Sequence, residues 1–143
     1  MNIQSLYSQR DLKWASLKIG DTNLTLGRYG CTITCLSMLT GIAPNQMLRA
    51  LKFSGALVVW QSCVFPRIKF EFREYGYNSA KVQHYIADPH KAVILEVNNG
   101  SHWVVPVAYF PDGSYICADP WTGTYENLLL KYHNITGAAY FNG

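Results

Sequence analysis

The rhythm of apolar and polar positions changes along this chain, and the change falls near Pro89. Before it, apolar residues group as helices require. Residues 31–40 (CTITCLSMLT) follow a glycine and are mostly apolar through Ile33, Leu36, Met38 and Leu39, which predicts a buried helix. Gly41 is a suitable left-handed stop for it. Pro44 suits the first turn of a second helix over Asn45–Lys52, with Met47, Leu48 and Leu51 on one side. Lys81–Ala87 predicts a short third helix that ends before Pro89. Residues 1–30 read as irregular, with turn material at Asp21-Thr22-Asn23 and from Gly27 to Gly30. Gly55 to Tyr77 shows no clear period.

Beyond Pro89 the pattern is that of strands. Ala92–Val97 is a short apolar run, Asn98-Asn99-Gly100-Ser101 a turn, and His102–Phe110 a β-rich run. Pro111-Asp112-Gly113 is a second turn before Tyr115–Asp119, and Tyr125–Leu130 and Ala138–Phe141 predict later strands. Pro106, inside the β-rich run, calls for an edge position or a bulge there. Helices first and an antiparallel sheet second is an α+β order.

Composition narrows the class of molecule. With 143 residues, 49% of them hydrophobic and 15% charged, the chain reads as one domain over 1–143 with a real core. Ten Tyr and four Trp imply rings that are half buried, or that line a cleft or an interface. The net charge of +3 is spread out, and the densest basic stretch, Arg67 to Arg73, contains Glu71; no basic stripe marks a nucleic-acid partner. No run of about 18 apolar residues is present to span a membrane. The start, Met1-Asn2-Ile3-Gln4-Ser5, lacks a basic end followed by an apolar stretch, so no secretory signal is read.

Cysteines 31, 35, 63 and 117 would allow three disulfide pairings in a secreted protein. Structural zinc needs two close thiolate pairs, and only Cys31 and Cys35 come near that spacing, so free thiols and no metal are expected. Cys31 then stands out, because it opens a predicted helix whose N-terminus favours a thiolate and offers free N–H groups to an oxyanion. Gly30 before it would permit close approach of a substrate backbone. A cysteine at the start of an apolar helix is more often core packing.

Among four histidines, His102 opens a strand directly after a turn, whereas His84 and His133 lie in mixed surroundings and His90 in a proline-containing turn. Asp119 ends the next strand. Pairing Phe110 with Gly113 sets Asp119 opposite Val104, and pairing Phe110 with Tyr115 sets it opposite Pro106. Either register puts Asp119 on the face of His102, and a shift of one residue breaks the arrangement. Asp119-Pro120 also reads simply as a turn start. Gln9 has a side-chain amide suited to an oxyanion, although surface glutamine is the plain reading.

These residues arrive in a familiar order. Tyr7-Ser8-Gln9-Arg10-Asp11-Leu12-Lys13-Trp14, Gly30-Cys31-Thr32 with Leu36, Ser37 and Met38, Ser101-His102-Trp103-Val104-Val105, and Ala118-Asp119-Pro120-Trp121-Thr122-Gly123 together span nearly the whole chain. In these blocks the chain resembles the double-glycine-leader peptidase-like branch of the papain-like cysteine peptidases, in its stand-alone bacterial and phage form. The resemblance implies N-terminal helices carrying the cysteine, packed on a C-terminal antiparallel sheet carrying His and Asp. It implies Cys31 as nucleophile, His102 as base and then acid, Asp119 as orienting partner and Gln9 as oxyanion donor, with Trp14 structural. No cofactor is implied. The expected substrate is an amide in a peptide, a protein or the stem peptide of a bacterial cell wall, as for a phage or bacterial lysin domain; a binding module without catalysis uses the same fold. Two features depart from the family. Gln9 stands 22 residues before Cys31, farther than in transporter-linked members, and residues 53–90 match nothing.

Overall fold

The structure is a computed structural model and describes residues 3–143; of the N-terminal reading, Met1 and Asn2 lie outside the described residues. One helical turn, α1 (Leu26–Tyr29), leads into α2 (Cys31–Thr40). Every residue from Ile33 to Leu39 is buried, so α2 is a core helix. It stops at Gly41, whose N–H donates to Ser37 O at 2.8 Å. Helix α3 (Pro44–Ala50) begins one residue before the expected start, with Pro44 in its first turn. It ends earlier than Lys52 because Leu51 turns to extended backbone and buries its side chain among the helices.

The stretch without a clear period builds a small hairpin of β1 (Phe53–Ser54) and β2 (Leu57–Val58), a 3-10 turn at Trp60–Ser62, and strand β3 (Lys69–Glu74). A bulge between Phe70 and Phe72 sends the two rings to opposite layers. Phe70 packs with Trp60 and Phe141, while Phe72 stacks on Tyr140. Helix α4 (Ser79–Ala87) starts two residues before the expected Lys81, because the Asn78 side chain caps it by accepting from Lys81 N–H at 3.1 Å.

Strands β4 (Lys91–Val97), β5 (His102–Tyr109), β6 (Tyr115–Asp119), β7 (Thr124–Asn127) and β8 (Ile135–Asn142) complete a six-stranded antiparallel sheet in the order β3-β8-β4-β5-β6-β7. The expected strand over Tyr125–Leu130 is corrected. It stops at Asn127, whose side chain accepts from Leu130 N–H and caps a single helical turn, α5 (Leu128–Lys131). The fold is therefore α+β, with α2 and α3 over one face of the sheet and α4 over the other. Alternation along β4 serves both layers: Ala92 and Ile94 join the α2–α3 side, Val93, Leu95 and Val97 the α4 side. Among the described residues, no helix is long and apolar enough to cross a membrane.

The β5–β6 hairpin decides the position of Asp119. Its loop, Pro111-Asp112-Gly113, is a three-residue connection with Gly113 at φ +87° and the Gly113 N–H donating to Phe110 O at 3.0 Å. That loop sets Tyr109 opposite Tyr115, one residue away from both expected registers. Carried on unbroken, this pairing would place Asp119 opposite Val105, facing away from His102. A bulge between Pro106 and Ala108 moves the register by one, so that Pro106 meets Cys117 and Val105 meets Ala118. Asp119 is thereby returned to the face of Val104 and His102. The bulge beside Pro106 is what brings Asp119 to the His102 face.

Candidate active site

Cys31 and His102 are the first residues of α2 and β5, and those two elements pack on each other. The Cys31 side chain lies near enough to the His102 ring to favour its protonated form. The ring's Nε2 lies 2.8 Å from Asp119 Oδ1, which leaves Nδ1 as the nitrogen for the sulfur. Gln9, Cys31 and His102 line one open cavity of about 420 Å³, and Asp119 lies behind the imidazole, fully buried.

Four donors hold the Asp119 carboxylate. Oδ1 also accepts from the Trp121 N–H at 2.9 Å; Oδ2 accepts from the Tyr132 hydroxyl at 2.5 Å and pairs with Lys131 Nζ at 2.7 Å. Burial alone would raise its pKa, but His102, Lys131, Tyr132 and the Trp121 N–H more than reverse that, so it stays well below the usual carboxylate range. Burial likewise works against a charged His102, yet the hydrogen bonds to Asp119 and Cys31, with their charges, raise it from 6.5 to about 9. Both interactions favour the protonated ring.

The other three thiols are chemically quiet. Cys35, Cys63 and Cys117 are fully buried, and burial pushes Cys63 and Cys117 up to about 12 and Cys35 well above the usual thiol range. All four cysteines are free thiols, and Cys31 alone is partly exposed.

Gln9 is 1% exposed and is held by both its backbone and its side chain. Its N–H donates to Pro120 O at 2.7 Å, tying it to the residue after Asp119, and its Nε2 donates to Gly27 O at 3.3 Å. An amide nitrogen carries two donors, so the second remains for a ligand in the cavity. Trp14 anchors this strap from below, donating from Nε1 to Ser8 O at 2.8 Å and meeting Tyr7 edge-on. Gly123 makes room for it: a Cβ there would lie 3.0 Å from Ser8 N, and φ is +71°. Gly123→Ala is expected to cost about 1–2 kcal/mol for the left-handed backbone alone and to lift the strap, which a lower Tm would report.

Gly30 has a different role from the one expected. It is buried, and a Cβ on it would sit 2.4 Å from Leu26 O; its smallness serves the packing of α2 against α1, not a substrate. Sequence reading missed Lys131 and Tyr132, which lie just past the expected strand over Tyr125–Leu130; Asn127 followed by an apolar trio was the available sign of a cap. It also missed Arg28, which lines the cavity. No family model, curated protein or solved structure matches this chain.

Proposed function

We propose that the chain is a papain-like cysteine hydrolase that cleaves an amide bond through an acyl-enzyme. One observation carries this reading: a partly exposed cysteine at a helix start shares an imidazole with a buried carboxylate, at the floor of an open cavity. In it, the imidazolium of His102 stabilises negative charge on the Cys31 sulfur.

The sulfur attacks the carbonyl carbon and the C–O π electrons move to oxygen. That oxyanion rests on Gln9 Nε2 and on the Cys31 N–H, which a first-turn residue leaves unused by its helix. Collapse breaks the C–N bond, and His102 Nδ1 gives its proton to the departing amine. A water then attacks the thioester as His102 takes its proton. The acid leaves, and the proton returns the pair to its starting state. Asp119 keeps the ring turned so that Nδ1 faces the sulfur throughout. The order of the motif blocks supports the papain-like assignment, in the stand-alone bacterial and phage branch; a peptide, a protein or a cell-wall stem peptide is the substrate.

Alkylation of the native protein at pH 6–7, followed by mass spectrometry, tests this. Cys31 is expected to react at least about 100-fold faster than Cys35, Cys63 and Cys117. Incubation with purified peptidoglycan and with a denatured protein then distinguishes turbidity loss from peptide fragments. Four equally slow thiols and no product from either substrate would leave a binding module of the same fold.

A further inference from the structure

The cavity over Cys31 is one end of a longer groove. A second hollow of about 170 Å³ shares Tyr29, Cys31 and Ser101 with the first, and its far wall is Ala56, Leu57 and Val58 of the β1–β2 hairpin. A third, of about 520 Å³, continues from it past Leu57, Val58 and Trp103. The two ends differ in chemistry. The middle hollow has Ile33, Ala56, Leu57, Val58 and Trp103 in its lining, with the polar Thr32 and Ser101 beside them. Leu57 is 75% exposed at the hairpin tip, an apolar side chain with nothing over it.

The opposite end is cationic. No Asp or Glu lines the first cavity, whereas Arg28 and Lys131 both do. Lys131 is engaged by Asp119 and Glu126. At the far end of the groove, Arg73 and Glu96 neutralise one another at 2.7 Å. Arg28 makes no ion pair among the described residues, its cationic contact being with the Tyr29 ring at 5.9 Å. It is thus the uncompensated charge along the groove among the described residues, and it lines the first cavity but neither of the two that the hairpin borders.

We propose that this groove selects an extended peptide that places a bulky apolar side chain against Leu57 and Val58 and a carboxylate beside Arg28, with the scissile amide between them. This rests on the cysteine-hydrolase reading above and gives that site its substrate class. An extended strand is the natural occupant of a long groove, since its side chains leave the backbone at regular intervals on either side of the reacting carbonyl. Arg28 fits a carboxylate better than a lysine would, because its planar fork binds both oxygens.

The test is a cleavage profile of the full-length protein on a peptide library, read by mass spectrometry, with Cys31→Ala as blank. Cut sites are expected to be enriched in Leu, Ile, Val or Phe on one side and in Asp or Glu on the other. Arg28→Glu should shift the acidic-to-basic preference by about tenfold or more toward Lys and Arg. Leu57→Lys should remove the apolar preference and leave the acidic one. Both positions are exposed, so neither change threatens the fold. Iodoacetamide selectivity for Cys31 in the wild-type protein separately tests the underlying chemistry. A fast Cys31 that cuts no peptide, or cuts with a profile that neither substitution alters, overturns the inference and leaves the hydrolase. A slow Cys31 with no Cys31-dependent cleavage overturns both.

Discussion

His102→Ala is expected to slow alkylation of Cys31 at pH 6–7 by at least about 100-fold and amide hydrolysis by about 10,000-fold, the upper end for loss of a general acid–base. The ring does two jobs in the proposed cycle, and both vanish together. It holds the positive charge beside the sulfur, and it carries the proton to the departing amine. The fold should survive the change, because the Asp119 carboxylate keeps its bonds to Tyr132, Lys131 and the Trp121 N–H. His84→Ala, at an exposed position of α4, should leave both rates unchanged. The stability difference between wild type and His102→Ala has a definite sign with pH. The folded pKa of His102 is raised from 6.5 to about 9, so its protonated form adds stability that is complete below 6.5 and lost as pH rises through about 9. Denaturant melts at pH 6 and pH 9.5 should therefore show a larger gap at the lower pH. Equal alkylation rates in the two proteins would remove His102 from the chemistry.

How much of this could be read from the chain alone depended on whether local pattern and tertiary packing agreed. They agreed for α2, where an apolar run, a preceding glycine and a following glycine all mark one buried helix. They agreed for β4, which is buried on both faces and reads as a plain apolar run. They disagreed at β3, where a bulge turns Phe70 and Phe72 to opposite layers although their spacing puts them on one face. At α5 the apolar trio Leu128-Leu129-Leu130 looked like strand, but a cap at Asn127 decided the matter. The site followed the same division. Cys31, His102 and Asp119 each begin or end a well-patterned element, and the structure gathers them. Their mutual geometry was beyond any local signal, because loop and strand demand registers that differ by one residue and the bulge beside Pro106 settles the difference. Gln9 was legible only through the resemblance; nothing around it predicts that Pro120 and Gly27 would fix it at the cavity that Cys31 lines.

Asp119 carries the second large prediction. Asp119→Ala should destabilise the protein by about 3–5 kcal/mol, the range for breaking a buried ion pair by removing one partner, and lower Tm by roughly 10–15 °C. The reason lies in what remains: a nearly buried imidazole, a Tyr132 hydroxyl and an ammonium that converged on two oxygens no longer present. Asp119→Asn separates this structural loss from the electronic one. The asparagine keeps a side chain of the same shape but no charge, so burial acts on His102 with much less to oppose it, and its pKa falls back from about 9 toward or below its ordinary 6.5. Turnover that requires the imidazolium then loses its alkaline side first. In the wild type the rate should fall through about pH 9; in Asp119→Asn the fall should move at least two pH units lower, so that the variant is far more impaired at pH 8 than at pH 5.5. An alkaline limb that stays at the same pH in Asp119→Asn would mean that the carboxylate does not govern the charge of His102, and that this buried cluster serves stability alone.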